Sequence, residues 1–404
     1  MNGKMIGSIM LVMGTLIGGG VLALPMVDIG AGFFSVFILI VFMWLLMLAT
    51  GLMFLEVSLS FPEEGLNFTS MAQRTLGRFG QTITFLSYLF LLYALVAAYS
   101  SGGGSLLAQL FLLGNVHIPP SVCSFFFVGI LGSFVFQGIK AVDLFNRWLF
   151  SLKALFFVGS LLLLTPYIDL SSPLIHLSQF RYLWAGAPIF LCSFGYHILI
   201  PTLTQYLHRD HKRIRYVLII STALTMCIYS YWLFELLGII SIDQFDSFLQ
   251  AKGSTGEFVA LISRAIQSRW VHWTINGFAN VTITTSFLGV SMGLTDFLSD
   301  AFKRSKFVLG KHAILFLTFI PPLLFALFYP QGFVFALGYA AIFVAFSHVM
   351  LPALMVWQVR RALSSSTFRV MGGKPLIILV FLIGLALIIL QILSPYLPYF
   401  AKRE

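Results

Sequence analysis

Charge is what this chain has least of. Asp, Glu, Lys and Arg together make up 9% of its 404 residues, against roughly 25% in a soluble globular protein. Water does not dissolve a surface so poor in charge, so lipid is the expected solvent. The 59% hydrophobic content and the mean hydropathy of +0.96 agree. Cysteine is nearly absent too: Cys123, Cys192 and Cys227 are far apart and lack metal-ligand spacing. Each lies in or beside an apolar run and reads as a small core residue. Long polar segments are missing as well. The loops are short except Ser241–Arg269, which carries Asp243, Asp246 and Glu257. That leaves no room for a soluble catalytic domain. No metal-binding His/Asp/Glu cluster or nucleophile elbow stands out, so an intramembrane enzyme has no support.

What is present is a succession of apolar runs, each near the 20 or so residues a spanning helix needs. Eleven are expected: Ile6–Val27, Phe33–Phe61, Thr82–Leu113, Ile118–Ile139, Trp148–Ile168, Leu183–Leu207, Ile214–Ile242, Trp270–Leu298, Ala313–Tyr329, Phe333–Val359 and Leu376–Leu397. The first follows Lys4 as a signal peptide would, but ten more spans follow it, so it reads as a retained membrane helix. A barrel's alternating ten-residue segments are not seen. The result is an all-α membrane protein in one transport domain, residues 1–404.

The formal net charge of +10 would suggest a nucleic-acid partner in a soluble protein. Here the basic residues cluster between apolar runs, in the positive-inside pattern, and no nucleic acid is expected. With the N-terminus in the cytoplasm, only Arg181, Lys252, Arg264, Arg269, Lys402 and Arg403 of the 24 basic residues fall outside, while Lys153 lies within a span. Eleven spans put the C-terminus outside, where Lys402 and Arg403 fit the rule poorly.

Two spans are interrupted. The first reads Gly14-Thr15-Leu16-Ile17-Gly18-Gly19-Gly20 and then Pro25. Glycine costs roughly 1 kcal/mol per residue in a helix relative to Ala. Lipid cannot satisfy the backbone groups a break frees, so a break faces protein or a water-filled cavity. Close packing through small residues is the other reading of such a segment. The sixth span reads Ser193-Phe194-Gly195-Tyr196-His197 and then Pro201. Breaks at matching positions of two halves point to a midplane site in inverted-repeat transporters. The half-helix after Gly18, Gly19 and Gly20 offers N–H groups and a positive dipole end suited to a carboxylate. Unwound carbonyls near Gly14–Ile17 and Phe194 suit an ammonium or a cation. A zwitterion fits both.

The glycine run with Ala23-Leu24-Pro25, and Ser193–His197 after it, resemble the first- and sixth-helix signatures of the bacterial aromatic amino-acid permease family. So do Leu144–Arg147, Ser286–Val290, Phe325–Pro330, and Tyr93-Ala94-Leu95 with Ala97-Ala98-Tyr99. The resemblance runs the whole length and is strongest to the tyrosine-specific members. It implies a five-plus-five inverted repeat of the LeuT (amino-acid–polyamine–cation) type, with helices one and six broken. Repeat one covers about 5–169, repeat two about 183–359, and an extra helix about 376–397. It also implies import of an aromatic L-amino acid, tyrosine first, by proton symport across a bacterial inner membrane. Substrate, coupling proton and lipid are the expected partners, with no cofactor and no obligatory protein partner. Sodium coupling stays open, because this fold class uses both ions. A channel or scaffold is the reading from a different class, but no repeated filter motif supports it.

Ionisable and polar groups at depth are functional candidates by default. Glu56 and Glu235 read as snorkelling or helix-pairing groups, and Asp296 as an interfacial cap closing the eighth span. Beside Gly195 and Pro201, His197 is a candidate for shaping the site. Aromatic residues make up 16% of the chain, 43 of them Phe, so an aromatic stripe carries no information. Tyr93, Tyr99, Phe194 and Tyr196 are singled out only as flanking the expected cavity. On the eighth span, Thr282, Thr284, Thr285, Ser286 and Ser291 either join a cation site or bond the carbonyl one turn back. Lys153 either snorkels to the inner interface or couples transport. The resemblance implies the second: a fifth-helix lysine aimed at the first-span carbonyls and at Thr285 and Ser286. Burial disfavours its charged form, which would let the proton leave when the cavity opens inward.

Overall fold

The computed structural model describes residues 3–61, 67–176, 183–251, 253–304, 309–362 and 368–393. The basic residues Arg181, Lys252, Lys306, Lys402 and Arg403, and the last residues of the expected eleventh span, lie outside this set. The described chain is helical throughout. Ten helices are long and apolar enough to cross a membrane, or eleven when the bent N-terminal pair counts as one span. This is a multi-pass membrane protein.

Span 1 is α1 (Gly3–Leu16) followed, after a 46° bend, by α2 (Gly20–Asp28). Spans 2 to 5 are α3 (Phe33–Ser60), α4 (Phe68–Leu113), α5 (Pro120–Gln137) and α6 (Ile139–Leu164). The short helix α7 (Pro173–His176) leads to span 6, which is α8 (Leu183–Ser193) and α9 (Ile200–Tyr206) on either side of a break. Span 7 is α10 (His211–Ile239). The helices α11 (Ile242–Gln250) and α12 (Thr255–Ala265) precede span 8, α13 (Arg269–Arg304). Span 9 is α14 (Lys311–Phe328), span 10 is α15 (Phe333–Val344) continued by α16 (Leu351–Ala362), and span 11 is α17 (Gly373–Leu393).

Three boundaries differ from the hydropathy reading. The α4 helix starts at Phe68, fourteen residues before the expected Thr82. Asn67 and Ser70 form a reciprocal capping box, and Gly77, with φ of +73°, turns this first amphipathic piece into the span. The α6 helix starts at Ile139 rather than Trp148, directly after Gly138 with φ of +96°. Its charged first turns had read as loop. The polar segment Ser241–Arg269 is folded, not a bare loop. Ser241 with Gln244 and Ser254 with Glu257 cap two helices that bury Phe245, Phe248 and Phe258. Asp296 is exposed two turns before the end of α13, so it does not cap the span.

The spans pack in two groups. Spans 1, 2, 6 and 7 touch one another through α1 on α10, α2 on α8, and α3 on α8, α9 and α10. Spans 3, 4, 8 and 9 form the second group through α4 on α5, α13 and α14, with α14 also on α5 and α13. Spans 5 and 10 join the two, α6 lying along α13 and α15 against both α4 and α8.

At the end of the bundle holding the chain N-terminus, Glu56 is fully buried and pairs in bidentate geometry with Arg360. Both Arg360 Nε and Nη2 donate to its oxygens at 2.7 Å. The Val370 N–H donates to the same carboxylate at 2.8 Å, and Arg360 Nη2 also donates to the Val370 carbonyl at 2.9 Å. The helix-pairing reading of Glu56 holds, and the pair ties α3 to the end of α16. Removing one partner of a buried ion pair strands the other and costs about 3–5 kcal/mol. Glu56→Gln should therefore melt several degrees below the parent in detergent, with substrate affinity within about twofold. A variant as heat-stable as the parent would show that the pair is not structural.

Candidate functional site

The break in span 1 covers Ile17–Gly19, between α1 and α2: the Ile17 N–H still closes a helical bond to Met13 O at 2.8 Å, but the N–H groups of Gly18 and Gly19 leave the helical ladder. The break in span 6 covers Phe194–Tyr196, after which a 3-10 turn at His197–Leu199 leads into α9. The two breaks are adjacent. A Cβ placed on Gly20 would lie 2.4 Å from Ser193 Oγ and 3.2 Å from Ser193 Cα. Only glycine permits this approach, because the obstacle includes backbone.

Side chains of three unbroken spans take up the freed backbone groups. Lys153 on α6 donates from Nζ to the carbonyls of Ile17 (2.8 Å) and Gly14 (3.3 Å). It is 5% exposed and lies about 21 Å along α6 from Ile139 at 1.5 Å per residue. The ammonium is aimed at the break, so the snorkelling reading fails. Ser286 on α13 accepts from the Gly19 N–H at 3.0 Å. Tyr229 on α10 is fully buried, and its hydroxyl lies 2.5 Å from the Leu16 carbonyl and 3.1 Å from that of Ser193. One phenol thus bridges both breaks. One turn on, Trp232 Nε1 donates to Val21 O at 3.1 Å.

Against these breaks lies a cavity of about 620 Å³, within the roughly 300–1,000 Å³ of small-ligand sites. Gly14, Thr15, Gly18, Gly20, Tyr99, Lys153, Ser193, Gly195, Thr285 and Ser286 all line it, as sequence reading expected. Its wall continues to Gly7 on α1, Asn146 on α6 and Gly293 on α13. All three lie toward the same end of the bundle, so the cavity runs from the breaks toward the end bearing the chain N-terminus. On its other side a buried aromatic cluster closes the path. Phe157 packs on Phe278 at 4.6 Å and on Trp232 at 6.0 Å, and Phe194 meets Tyr229 edge-on at 5.3 Å.

Other candidates fall elsewhere. Ile17 contributes only its carbonyl, and Gly19 packs against the Tyr99 ring. Tyr93 points away from the cavity and donates to Leu317 O on α14 at 2.9 Å. Phe194 belongs to the aromatic closure. Tyr196 is buried behind the break and donates to Met47 O at 3.1 Å. His197 sits behind the cavity wall, its Nε2 2.9 Å from Thr50 Oγ1. Among the described residues no hydrogen bond joins Lys153 to Thr285 or Ser286. Thr285 and Ser291 bond carbonyls of their own helix, at Thr282 and Phe287, and Ser286 alone reaches span 1. The N–H groups of Gly18 and Gly19, expected to be free for a carboxylate, are taken by Leu16 O and Ser286 Oγ. Sequence reading missed Tyr229, Trp232 and His348. The last lines the cavity from a π-helical turn, Ala345–Met350. Pro352 has no N–H to give to the His348 carbonyl, which loosens the ladder there; a proline four residues after a membrane histidine was the available signal.

Tyr229→Phe keeps the ring and removes the hydroxyl shared by the Leu16 and Ser193 carbonyls; Leu16 O retains the Gly18 N–H, so the loss falls on the Ser193 carbonyl, at a cost of about 1–3 kcal/mol. The variant should melt lower and lose most of its transport rate, as measured on purified protein and on vesicles. A rate within a factor of two of the parent would mean that the phenol does not hold the breaks.

Over residues 1–391 the chain matches the Tryptophan/tyrosine permease family. It is 34% identical over 403 residues to "Tyrosine-specific transport system 1" of Haemophilus influenzae, covering 98% of this chain and 99% of that protein. To the "Tryptophan-specific transport protein" of Shigella flexneri it is 32% identical over 397 residues, covering 97% and 96%. To the "Low affinity tryptophan permease" of Escherichia coli K12 it is 30% identical over 392 residues, covering 94% and 93%. The paired helix breaks, the cavity against them and the full-length match all lead to one family: the chain belongs to the tryptophan/tyrosine permeases and is a membrane transporter, not an enzyme.

Proposed function

We propose that this chain imports an aromatic L-amino acid, tyrosine first, across a bacterial inner membrane by proton symport. Alternating access would come from a LeuT-type five-plus-five inverted repeat with the N-terminus in the cytoplasm. Two features support the repeat. The breaks fall in spans 1 and 6, and the packing groups pair corresponding members of each half: 1 with 6, 2 with 7, 3 with 8, 4 with 9. The two tyrosine-specific systems of Haemophilus influenzae, 34% and 33% identical, support tyrosine, and tryptophan-specific relatives at 32–33% keep tryptophan close behind.

The observation that carries the coupling is the Lys153 ammonium on the carbonyls of Gly14 and Ile17. A fixed cation there does what a bound metal cation would do, and it is one that can lose its proton. In the proposed cycle the protonated lysine ties α1 to α6 while substrate is held. The substrate carboxylate takes the Gly19 N–H that Ser286 now occupies, and its ammonium meets carbonyl oxygens of the breaks. When the cavity opens inward, Lys153 gives up its proton. The carbonyls of Gly14 and Ile17 then lose their donor, α1 loosens from α6, and the amino acid leaves.

Uptake into proteoliposomes under an imposed pH gradient, with and without sodium, tests this. Lys153→Met keeps length and removes charge, so tyrosine binding should survive while pH-driven accumulation disappears. Accumulation at the parent level in this variant would overturn the coupling role and bring sodium forward. Unlabelled tryptophan and phenylalanine should compete with labelled tyrosine, and leucine and glutamate should not. The reverse pattern would sink the substrate assignment.

A further inference from the structure

The residue at the far wall of the cavity is His348. Its ring is held on three sides. Nδ1 lies 2.7 Å from Ser347 Oγ, the His197 ring meets it edge-on with centroids 4.8 Å apart, and Phe68 packs at 6.0 Å. The hydrogen-bond network assigns the tautomer. Ser347 Oγ donates to Phe343 O at 2.6 Å, so its single proton is committed. It must then accept from His348 Nδ1–H, which leaves Nε2 as a bare acceptor with no hydrogen-bond partner among the described residues. His348 is 6% exposed, and the surface it does expose lines the cavity.

The surroundings make that acceptor selective. The polar groups that suit an amino acid's ammonium and carboxylate lie at the breaks. The cavity wall here is mostly apolar: Val344 is one turn back, and Tyr88, Leu91 and Leu92 come from α4, which is held to this turn by Ser87 Oγ donating to Phe343 O and by Phe90 stacked on Phe343 at 5.5 Å. A mostly apolar wall of two leucines, a valine and a tyrosine ring, with the His348 Nε2 acceptor on it, fits an aromatic ring that carries a donor. The π-helical turn puts the histidine there, and such turns are frequent at functional sites. A buried acceptor left unmet costs about as much as a lost hydrogen bond, so this slot discriminates against a ring without a donor.

We propose that His348 is a specificity-determining residue, its Nε2 accepting a hydrogen bond from the ring donor of the substrate, the phenolic O–H of tyrosine or the indole N–H of tryptophan. His197 acts as a positioning residue behind it, held by Thr50. The inference rests on the reading of the chain as an aromatic amino-acid carrier, and its test separates the two.

Binding of L-tyrosine, L-phenylalanine and O-methyl-L-tyrosine to the purified full-length protein is the measurement. One neutral hydrogen bond should make tyrosine about three- to tenfold tighter than either ligand lacking the donor. His348→Leu should remove the preference: tyrosine binding weakens because its hydroxyl loses the acceptor, phenylalanine binding tightens because no acceptor is left unmet, and retained phenylalanine binding reports an intact site. His348→Gln, with an acceptor carbonyl in reach of the same place, should restore part of the preference. Equal affinities for tyrosine and phenylalanine in the parent would overturn the proposal, as would a tyrosine preference unchanged by His348→Leu. If the leucine variant binds nothing, the parent's ligand series decides alone. A parent that binds none of the three takes down the aromatic-carrier reading itself, which is a different result from a carrier that binds all three alike.

Discussion

Two helix breaks free backbone N–H and C=O groups at a depth where lipid offers no hydrogen bonds. Each such group left alone costs on the order of several kcal/mol, and that constraint organises the centre of this protein. The answer is a set of donors and acceptors on three neighbouring unbroken helices: Lys153 on α6, Tyr229 and Trp232 on α10, and Ser286 on α13. Each needs its helix in one place. The Gly20 approach to Ser193 fixes the breaks against each other, and the Tyr229 hydroxyl spans both. The cavity is therefore bounded by elements that cannot shift independently without stranding a buried carbonyl.

The same constraint gives the site its chemistry. Backbone groups not consumed by a helix are what a zwitterion needs, and in the proposed cycle the side chains now satisfying them are exchanged for substrate. Ser286 and the tyrosines are neutral, so trading them for ligand changes only hydrogen bonds. Lys153 is different, because it brings a charge into a nearly closed space and can lose it. A carrier needs one group whose bond to the backbone depends on an ion, and in the proposed cycle this lysine is it. Thr285 and Ser291, which spend their hydroxyls on their own helix, add nothing of that kind.

Much of this was legible in the sequence, for local reasons. The breaks announce themselves because Gly14–Gly20, Gly195, Pro25 and Pro201 violate helix chemistry inside apolar runs. Lys153 was legible because a cation within a span has few explanations. The spans themselves follow from hydropathy. What could not be read depends on pairs distant in the chain. Glu56 was visibly out of place, but its partner Arg360 is 304 residues away and reads as an ordinary basic loop residue. Tyr229 and Trp232 look like any aromatics on an apolar helix, and nothing local says that they face two carbonyls. Tyr93 was misplaced for the same reason. It sits six residues before Tyr99, which is more than a turn and a half, so the two cannot share a face of α4. The early starts of α4 and α6 were missed because their first turns are amphipathic and carry charge.

Where the cavity leads follows from which contacts hold each end of the bundle. On the side away from the chain N-terminus, Phe157, Phe278 and Trp232 are interlocked and α12 lies across α4, with the Gly256 N–H donating to Ser105 Oγ at 3.0 Å. A Cβ on Gly256 would run into the Ser105 carbonyl, so that cover is seated backbone to backbone. On the N-terminal side the ties run between other elements: Glu56 to Arg360, and Arg209 Nη2 donating to Leu59 O at 2.8 Å. These join α3 to α16 and to the end of α9, and neither lies between α1 and α13, where the cavity runs. The lower half of α1 is held at the break by Lys153 and near its start by Lys4, 3.2 Å from His208 Nε2 on the exposed surface. An exposed contact of that kind contributes little. Along its length α1 also packs on α10 through its buried Ile9, Val12 and Leu16, and the 46° bend at Ile17–Gly19 separates it from α2. In the proposed cycle the cavity closes on this side when α1 moves toward α13 about that bend, and the bond that must follow the movement is the one from Lys153.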